Sequence, residues 1–157
     1  MHSKISSILS ERQINHKEIA HSSFSAPINS PLDFANALAS QIERISKSVF
    51  LRSKKKDKYV MAVCSCNKKF DLKKIAELAG INKLEVADKQ DLDDLVGYPI
   101  TGVSAIGLNP EIAVLIDKSL LDFETILTGS GEIAKEIEIN PQDLVMISNA
   151  TLGDICA

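Results

Sequence analysis

Two strand-like runs separated by a short charged segment constrain the fold of this chain most. Residues 48–52 read SVFLR and residues 58–64 read KYVMAVC, and four of the five residues between them, 53–57, are charged. Runs rich in β-branched and aromatic residues favour strands, and a connection this short joins two strands as a hairpin. The sequence therefore predicts an antiparallel β-hairpin with a charged turn.

Helix and strand patterns alternate on both sides of this hairpin. Ile5, Ile8 and Leu9 follow the helical period and predict a helix over residues 3–13, followed by a loop over residues 20–30. Cap and stop signals predict further helices at residues 31–39, 71–79 and 88–96. Short strands are expected at residues 84–87, 112–117, 125–128 and 133–139, and residues 140–141 open a turn or helix that leads into residues 145–148. The pattern predicts one mixed α/β domain over residues 1–157, with six or seven short strands and four or five helices.

Composition is typical of one soluble globular domain. The chain has 157 residues, of which 45% are hydrophobic, and its formal net charge is −3. A chain of this length can bury enough surface to fold without a disulfide, and we expect Cys64, Cys66 and Cys156 to be reduced. No apolar run reaches the roughly 18 residues of a membrane span, and the first residues lack a secretory signal pattern. These observations predict a cytoplasmic protein with no membrane partner.

Charge is divided unevenly along the chain. Residues 1–80 carry 14 basic and 7 acidic side chains, whereas residues 81–157 carry 4 and 14. This asymmetry favours an anionic partner that binds on one side of the molecule. The hairpin turn contains a dense basic run that could contact phosphates or could simply protect a strand edge: Arg52, Lys54, Lys55, Lys56 and Lys58.

Common catalytic motifs are missing from the sequence. There is no GxSxG, HExxH, P-loop or GxGxxG pattern, and the three histidines all lie within the first 21 residues, so the sequence predicts neither a metal nor a cofactor. Two glycine-rich segments, residues 97–107 and 129–131, could present backbone N–H groups to an oxyanion or could only satisfy turn dihedrals. Lys47 could point into a cleft or into solvent. Asp117 could line a site or cap a turn.

The order of these motifs resembles the YbaK and prolyl-tRNA-synthetase-associated editing domain family. The resemblance extends from about residue 5 to residue 155, and four features carry it: Lys47 before a β run, the loop Gly102-Val103-Ser104-x-x-Gly107, the apolar strand ending in Asp117, and Gly129-x-Gly131. Members of this family are single-domain hydrolases that remove a wrongly attached amino acid from transfer RNA. The resemblance implies a mixed α/β fold around a curved, mostly antiparallel sheet flanked by helices.

The same resemblance implies roles for individual residues. Lys47 matches the family lysine that contacts the 3′ end of the aminoacyl-tRNA. The backbone of the two loops would face the pocket and the scissile ester, with Gly102, Ser104, Gly129 and Gly131 counted with Lys47 as catalytic. Further substrate contacts are implied for His21, Tyr98, Val103, Gly107, Asp117 and Ser130. The sequence departs from the family at Ala105, where proline is usual, and at Val96, where threonine is common before the glycine, so the amino acid that the pocket rejects stays open.

An aminoacyl ester is already activated, so its hydrolysis needs a positioned water and N–H donors rather than a strong protein base. The resemblance therefore implies a trans-editing aminoacyl-tRNA deacylase whose partners are a mischarged tRNA and an aminoacyl-tRNA synthetase, with no role for DNA. One alternative is a non-catalytic module that binds the aminoacyl-tRNA end or a synthetase. A second alternative is hydrolysis of a different small ester or thioester.

Overall fold

The computed structural model describes all residues, 1–157, and contains the hairpin that the sequence predicts. β2 (Ser46–Ser53) pairs antiparallel with β3 (Tyr59–Ser65), with Lys47 opposite Cys64. Lys54–Lys58 form the turn, in which the amide of Ser53 donates to the carbonyl of Lys58 at 2.8 Å. The hairpin prediction is confirmed, and the strands run past the predicted limits at both ends of β2.

Three more strands extend this hairpin into a five-stranded sheet. β4 (Leu84–Val86) pairs antiparallel with β2, while β5 (Ala113–Asp117) pairs parallel with β3 and β8 (Thr151–Gly153) pairs parallel with β5. The order across the sheet is β4-β2-β3-β5-β8. Parallel neighbours need a long crossover between them, and residues 66–112 supply it for β3 and β5.

A second sheet of three strands stands beside the first. β1 (His16–Ala20) and β6 (Ile126–Gly129) both pair antiparallel with β7 (Lys135–Ile139), in the order β1-β7-β6. The prediction of one sheet with six or seven strands is therefore wrong, because eight strands divide into two sheets. β1 was missed since three of its five residues are exposed and show no apolar alternation, and β8 since three residues are too few for a pattern.

Five α-helices cover the two sheets: α1 (Ser3–Glu11), α2 (Pro31–Leu38), α3 (Leu72–Ala79), α4 (Lys89–Leu95) and α5 (Pro141–Ser148). Local sequence explains their ends. Ser30 caps α2 by accepting from the amide of Asp33, and Asp71 caps α3 in the same way, while Gly80 ends α3 with φ of +70°. These helix predictions are confirmed, and residues 145–148 prove to be the last turns of α5.

Three apolar clusters stabilise this arrangement. The largest has 18 buried residues and includes side chains from both sheets and from α1, α4 and α5. A second lies beneath α3, and a third, small cluster joins Phe34 and Ala35 of α2 to Ile45 and Leu127. Ile45 and Leu127 also form an isolated parallel bridge, which connects the start of β2 to the small sheet. None of the helices has the length and apolar character that a membrane crossing requires.

Arg44 reinforces this junction between the sheets. Its guanidinium donates to the carbonyl and hydroxyl oxygens of Thr125 at 2.8 and 2.6 Å, to Ser40 Oγ at 2.6 Å and to Glu138 Oε2 at 2.7 Å. Because the donors of a guanidinium lie in one rigid plane, these hydrogen bonds hold several segments in a single geometry. The segment just before β2 is thus bound to the residue that precedes β6 and to Glu138 of β7.

Candidate active site

A cavity of about 510 Å³ opens at the junction of the two sheets. Its walls come from the start of β2, from β6 and β7, from the segment that precedes α2, and from the loop over residues 100–103. The volume falls within the roughly 300–1,000 Å³ typical of small-molecule sites. The lining residues that matter most for chemistry are His21, Ser46, Lys47, Thr101, Val103, Gly129, Lys135 and Glu136.

α2 closes one side of the cavity with apolar surface. Phe34 is 1% exposed, and its ring lies 4.8 Å from the His21 ring, centroid to centroid. Ile28, Phe34 and Ile45 all line the cavity. An apolar wall of this kind fits a small side chain and removes water from the polar groups opposite, which strengthens their electrostatic interactions.

His21 and Glu136 form a polar part of the cavity wall, with His21 next to Phe34. His21 Nε2 and Glu136 Oε2 are 2.7 Å apart, and the two side chains are only 25% and 18% exposed. Burial raises the pKa of Glu136, while the hydrogen bond from His21 and its charge oppose that rise. The carboxylate is therefore held beside the cavity with a histidine on one oxygen, which leaves acceptor capacity for a cationic group of a ligand.

Lys47 supplies a positive charge without a protein counter-ion. Its ammonium lies 5.4 Å from the centroid of the Phe70 ring and makes neither an ion pair nor a hydrogen bond within the chain. The other lysine in the cavity wall, Lys135, is 3.2 Å from the carboxylate of Glu132. Lys47 is consequently the cavity cation that is free to bind an anionic or polar ligand group.

The two glycine segments contact each other through their backbones. A Cβ on Gly129 would lie 1.8 Å from the carbonyl oxygen of Val103, and a Cβ on Gly102 would lie 2.5 Å from that of Glu132. The amide of Gly131 donates to the carbonyl of Gly102 at 2.8 Å, and the amide of Gly102 donates to Pro99 at 2.9 Å. Glycine at these positions permits a close approach that shapes the cavity wall.

Backbone donors that are free lie on either side of Gly102, in the loop over residues 97–107, which we call the first loop. Thr101 and Val103 both line the cavity, and neither of their amide N–H groups has a hydrogen-bond partner within the chain. The amides of Gly102 and Gly131, in contrast, are already donating to the loops themselves. The amides of Thr101 and Val103 are thus among the N–H groups of the cavity wall that are not used within the chain.

The structure brings some of the residues expected from the sequence together and leaves others apart. His21, Lys47, Val103 and Gly129 line the cavity. The rest lie behind or beyond its wall: Tyr98, Gly102, Ser104, Gly107, Asp117, Ser130 and Gly131. Several of these hold the loops in place, since Tyr98 donates to the carbonyl of Ile106 at 2.7 Å and Ser130 donates to that of Lys135 at 2.6 Å.

Two of the distant residues are fully enclosed. Ser104 has no exposed surface, and its hydroxyl accepts from the amide of Ile106 at 3.2 Å. Asp117 is 2% exposed, accepts from the amide of Ile155 at 3.2 Å and from the hydroxyl of Ser119, and lies 3.5 Å from Lys68 Nζ. Asp117 therefore anchors the C-terminal segment to β5, as a turn-capping carboxylate would.

The basic hairpin turn lies far from the cavity. Lys47 is at the start of β2 and Lys54 follows its end, so about 23 Å of strand separates them. Arg52 is occupied by Glu85, Asp88 and Asp91 at 3.1, 3.1 and 2.7 Å. The acidic residues of the second half of the chain therefore neutralise part of the basic turn, and the turn and Lys47 do not form one face.

Glu136, Thr101 and the apolar wall were not expected from the sequence. Glu136 alternates with the buried Ile137 in a strand, a pattern that normally places a carboxylate in solvent. Its partner His21 is 115 residues away along the chain, so no local signal reports the pair. His, Cys, Asp and Glu side chains do not gather in threes anywhere in the structure in a way that would hold a metal ion.

The sequence and the fold are those of a known class of domain, the aminoacyl-tRNA editing domains. Residues 25–147 match the aminoacyl-tRNA editing domain family. This match covers most of the chain, and the protein belongs to that family.

Individual relatives agree with this assignment. The chain is 24% identical over 146 residues to the prolyl-tRNA editing protein ProX of Acetoanaerobium sticklandii, which covers 90% of this chain and 87% of that protein. It is 28% identical over 96 residues to EbsC of Enterococcus faecalis, named as a candidate Cys-tRNA(Pro)/Cys-tRNA(Cys) deacylase. That second match spans 61% of this chain and only 58% of EbsC.

Solved structures confirm the fold. The crystal structure of the hypothetical protein APE2540 superposes with a TM-score of 0.85 at 22% identity, covering 99% of this chain and all of that one. A candidate trans-editing enzyme for prolyl-tRNA synthetase superposes with a TM-score of 0.81 at 21% identity, covering 98% and 95%. At these identities, the likeness establishes a shared architecture of two sheets and covering helices.

Proposed function

We propose that this protein is an aminoacyl-tRNA deacylase that hydrolyses the ester between a wrongly attached amino acid and the terminal ribose of tRNA. One observation carries the proposal: Lys47, a cation without a counter-ion, and the half-buried carboxylate of Glu136 line the same cavity at the sheet junction. An aminoacyl-tRNA end has the complementary charges, because its phosphates are anionic and its amino group is cationic. Membership of the editing family supports the same activity.

In this proposal, Lys47 and Glu136 orient the substrate from its two ends. Lys47 binds the phosphate or ribose oxygens of the terminal nucleotide, and Glu136 accepts hydrogen bonds from the α-ammonium group. Charge-assisted hydrogen bonds are about twice as strong as neutral ones, so the two contacts favour one direction of binding. The amino acid side chain then faces the apolar wall of Ile28, Phe34 and Ile45.

The amides of Thr101 and Val103 stabilise the charge that develops on the ester carbonyl oxygen. Loss of one such donor typically costs 10²–10³-fold in rate, or about 3 kcal/mol. A water molecule attacks the carbonyl carbon and gives up a proton. The bond from that carbon to the ribose oxygen breaks, and the ribose oxygen leaves as a hydroxyl group after taking up the proton. In this proposal a ribose hydroxyl of the substrate assists this proton transfer, so no nucleophilic side chain is needed.

Gly102, Gly129 and Gly131 contribute by position in this mechanism. The close backbone contacts of Gly102 and Gly129 and the hydrogen bond from Gly131 to Gly102 hold the first loop against β6, and the loop in turn directs the Val103 amide. Ser104, Tyr98, Gly107 and Ser130 support the same loops from behind. The proposed substrates are mischarged tRNAs, in line with the names of ProX and EbsC, and a synthetase that supplies them is a further proposed partner.

Ester release from a panel of charged tRNAs tests the proposal. Wild-type protein is incubated with tRNAs carrying cysteine, alanine, serine or proline, and the release of each amino acid is measured over time. We expect at least one substrate to be deacylated, and Lys47→Met to slow that release by about tenfold or more. Lys83→Met is the matched control, because Lys83 is exposed and has no ion pair.

The outcomes separate the alternatives. Tight binding of charged tRNA without ester release would indicate a non-catalytic binding module. Release of amino acid from small esters at a rate independent of tRNA and of salt would indicate a different esterase, since tRNA binding weakens steeply with salt. Equal rates for wild type and Lys47→Met would contradict the role given to Lys47.

A further inference from the structure

Exposed apolar side chains concentrate at the mouth of the cavity. The two most exposed large apolar residues of the whole chain are Ile100 at 73% and Ile133 at 64%, and both line the cavity. Leu32, which follows the cavity-lining Pro31, is 56% exposed. Single exposed apolar side chains are common, but here the two most exposed ones lie at the same opening.

Ile100 and Ile133 come from the two loops that contact each other. Ile100 lies two residues before Gly102, and Ile133 follows Glu132, whose carbonyl oxygen is the nearest atom to a Cβ built on Gly102. The close contact of these backbones holds the two side chains beside the same opening. They therefore form a pair of apolar side chains with fixed supports, which we name the rim pair.

The charges around the rim pair define what can cover it. Lys47 inside the cavity has no counter-ion, and Lys69, one residue before the Phe70 ring that Lys47 faces, is exposed and has no ion pair. An occupant that contacts both the rim pair and Lys47 must therefore combine a flat or apolar surface with negative charge. An unpaired nucleotide has this combination, because its base offers an apolar face and its phosphate is anionic.

We propose that Ile100 and Ile133 bind the face of the terminal unpaired base of tRNA, so that the enzyme recognises a single-stranded 3′ end by stacking as well as by charge. This inference rests on the proposed function and specifies which part of the substrate the rim holds. Burial of each side chain removes apolar surface from water and stabilises the complex. Stacking of this kind is tolerant of base identity, so the rim pair anchors the end and leaves amino acid selection to the cavity.

Binding of uncharged tRNA tests the inference without any hydrolysis. Dissociation constants are measured by fluorescence anisotropy for intact tRNA and for the same tRNA lacking its terminal adenosine, with wild type and with Ile100→Ser, Ile133→Ser and the double variant. We expect each single variant to weaken binding of intact tRNA by about 3- to 10-fold. Val86→Ser is the matched control, since Val86 is 61% exposed and lies on β4 outside the cavity.

The truncated tRNA isolates the base contact. Removal of the terminal adenosine should weaken binding to wild type and should have little further effect on the double variant, as expected for two changes that disrupt one interaction. The slope of binding against salt concentration should be the same for wild type and the rim variants, because no phosphate contact is removed.

Three outcomes would overturn the inference. An equal loss on adenosine removal in wild type and in the double variant would show that the rim pair does not contact the base. Undiminished binding by both single variants, or no binding of intact tRNA by wild type, would do the same. A failure of the proposed function is distinguishable, since it would appear as normal, rim-dependent binding without ester release from any charged tRNA.

Discussion

A side chain at Gly129 and the carbonyl oxygen of Val103 cannot occupy the site together, because a Cβ on Gly129 would lie 1.8 Å from that oxygen. β6 thus contacts the first loop at the point where that loop lines the cavity. The position of the Val103 amide depends on the absence of a side chain 26 residues further along the chain.

Gly129→Ala should displace the first loop. We expect the free energy of unfolding to fall by about 1–3 kcal/mol, as for other overpacked sites, and deacylation to slow by at least about tenfold because the loop amides move. Urea unfolding and single-turnover deacylation measure the two effects. Gly80→Ala is the control, since its Cβ would have no neighbour within 4 Å and only its φ of +70° is unfavourable. Wild-type deacylation by Gly129→Ala would contradict the role of this contact.

Glu136→Gln should separate recognition from stability. Activity should fall about tenfold to hundredfold, because the substrate ammonium loses a charged acceptor while the hydrogen bond to His21 is kept. Burial raises the pKa of Glu136 above its ordinary 4.5, so the protonated form is favoured in the folded protein. The stability that this adds is fully present below pH 4.5 and is lost as pH rises through the raised pKa. The variant should therefore be more stable than wild type at neutral pH and equal to it below pH 4.5.

Urea unfolding at pH 4 and at pH 7, together with kcat/KM at neutral pH, measures both effects of Glu136→Gln. Glu124→Gln serves as the control, because Glu124 is exposed and forms no ion pair. A variant with reduced stability at neutral pH would show that the charged form of Glu136 is favoured by its surroundings, contrary to the expectation from burial.

The basic hairpin turn should not take part in tRNA binding. A variant with Lys54→Ala, Lys55→Ala and Lys58→Ala is expected to bind tRNA with the wild-type dependence on salt, because the turn lies about 23 Å of strand from Lys47. Lys69→Ala should reduce the slope of log Kd against log salt by about 1, as for the loss of one phosphate contact. Binding titrations at several salt concentrations compare the two. A reduced slope for the turn variant alone would reverse this assignment.

Arg44 and Glu138 should be energetically coupled. Arg44→Met is expected to lower the free energy of unfolding by about 1.5–3 kcal/mol, because charged hydrogen bonds at the sheet junction lose their donor. A double-mutant cycle with Glu138→Gln should give a coupling energy of about 0.5–3 kcal/mol. The exposed pair of Lys74 and Asp154, 3.1 Å apart, provides the comparison and should couple by less than about 1 kcal/mol. Equal coupling in the two pairs would refute a special role for the junction.

Asp117→Asn should affect stability without affecting catalysis. Burial on its own would raise the pKa of Asp117, but hydrogen bonds from Ser119 and the Ile155 amide and the charge of Lys68 hold it below the ordinary 3.8. The charged form therefore adds stability above pH 3.8 that is lost as pH falls through the lower folded pKa. We expect the variant to be about 1–3 kcal/mol less stable at pH 7, with the difference closing below pH 3.8.

The rate of deacylation per folded molecule should be unchanged in Asp117→Asn. Both quantities are measured on the same preparation, by chemical unfolding across pH and by single-turnover kinetics. Slower deacylation with unaltered unfolding would instead place Asp117 in substrate binding.

Local sequence was sufficient for the elements whose signals are short in range. The β2–β3 hairpin, the cap of Ser30 on α2 and the stop at Gly80 all depend on residues within a few positions of each other, and all were predicted. The order of motifs also identified the family. These features rest on dihedral preferences and on apolar periodicity, which depend on residues close together in the chain.

Tertiary structure alone decided which residues share the cavity. His21 meets Glu136 across 115 residues, and Val103 meets Gly129 by backbone atoms that no sequence pattern encodes. The strands β1 and β8 exist only because β7 and β5 pair with them. Likewise, the acidic half of the chain neutralises part of the basic half, because Arg52 binds Glu85 of β4 and Asp88 and Asp91 at the start of α4. The sequence determined the elements and the family, whereas long-range packing determined the site, since its geometry follows from contacts between distant segments.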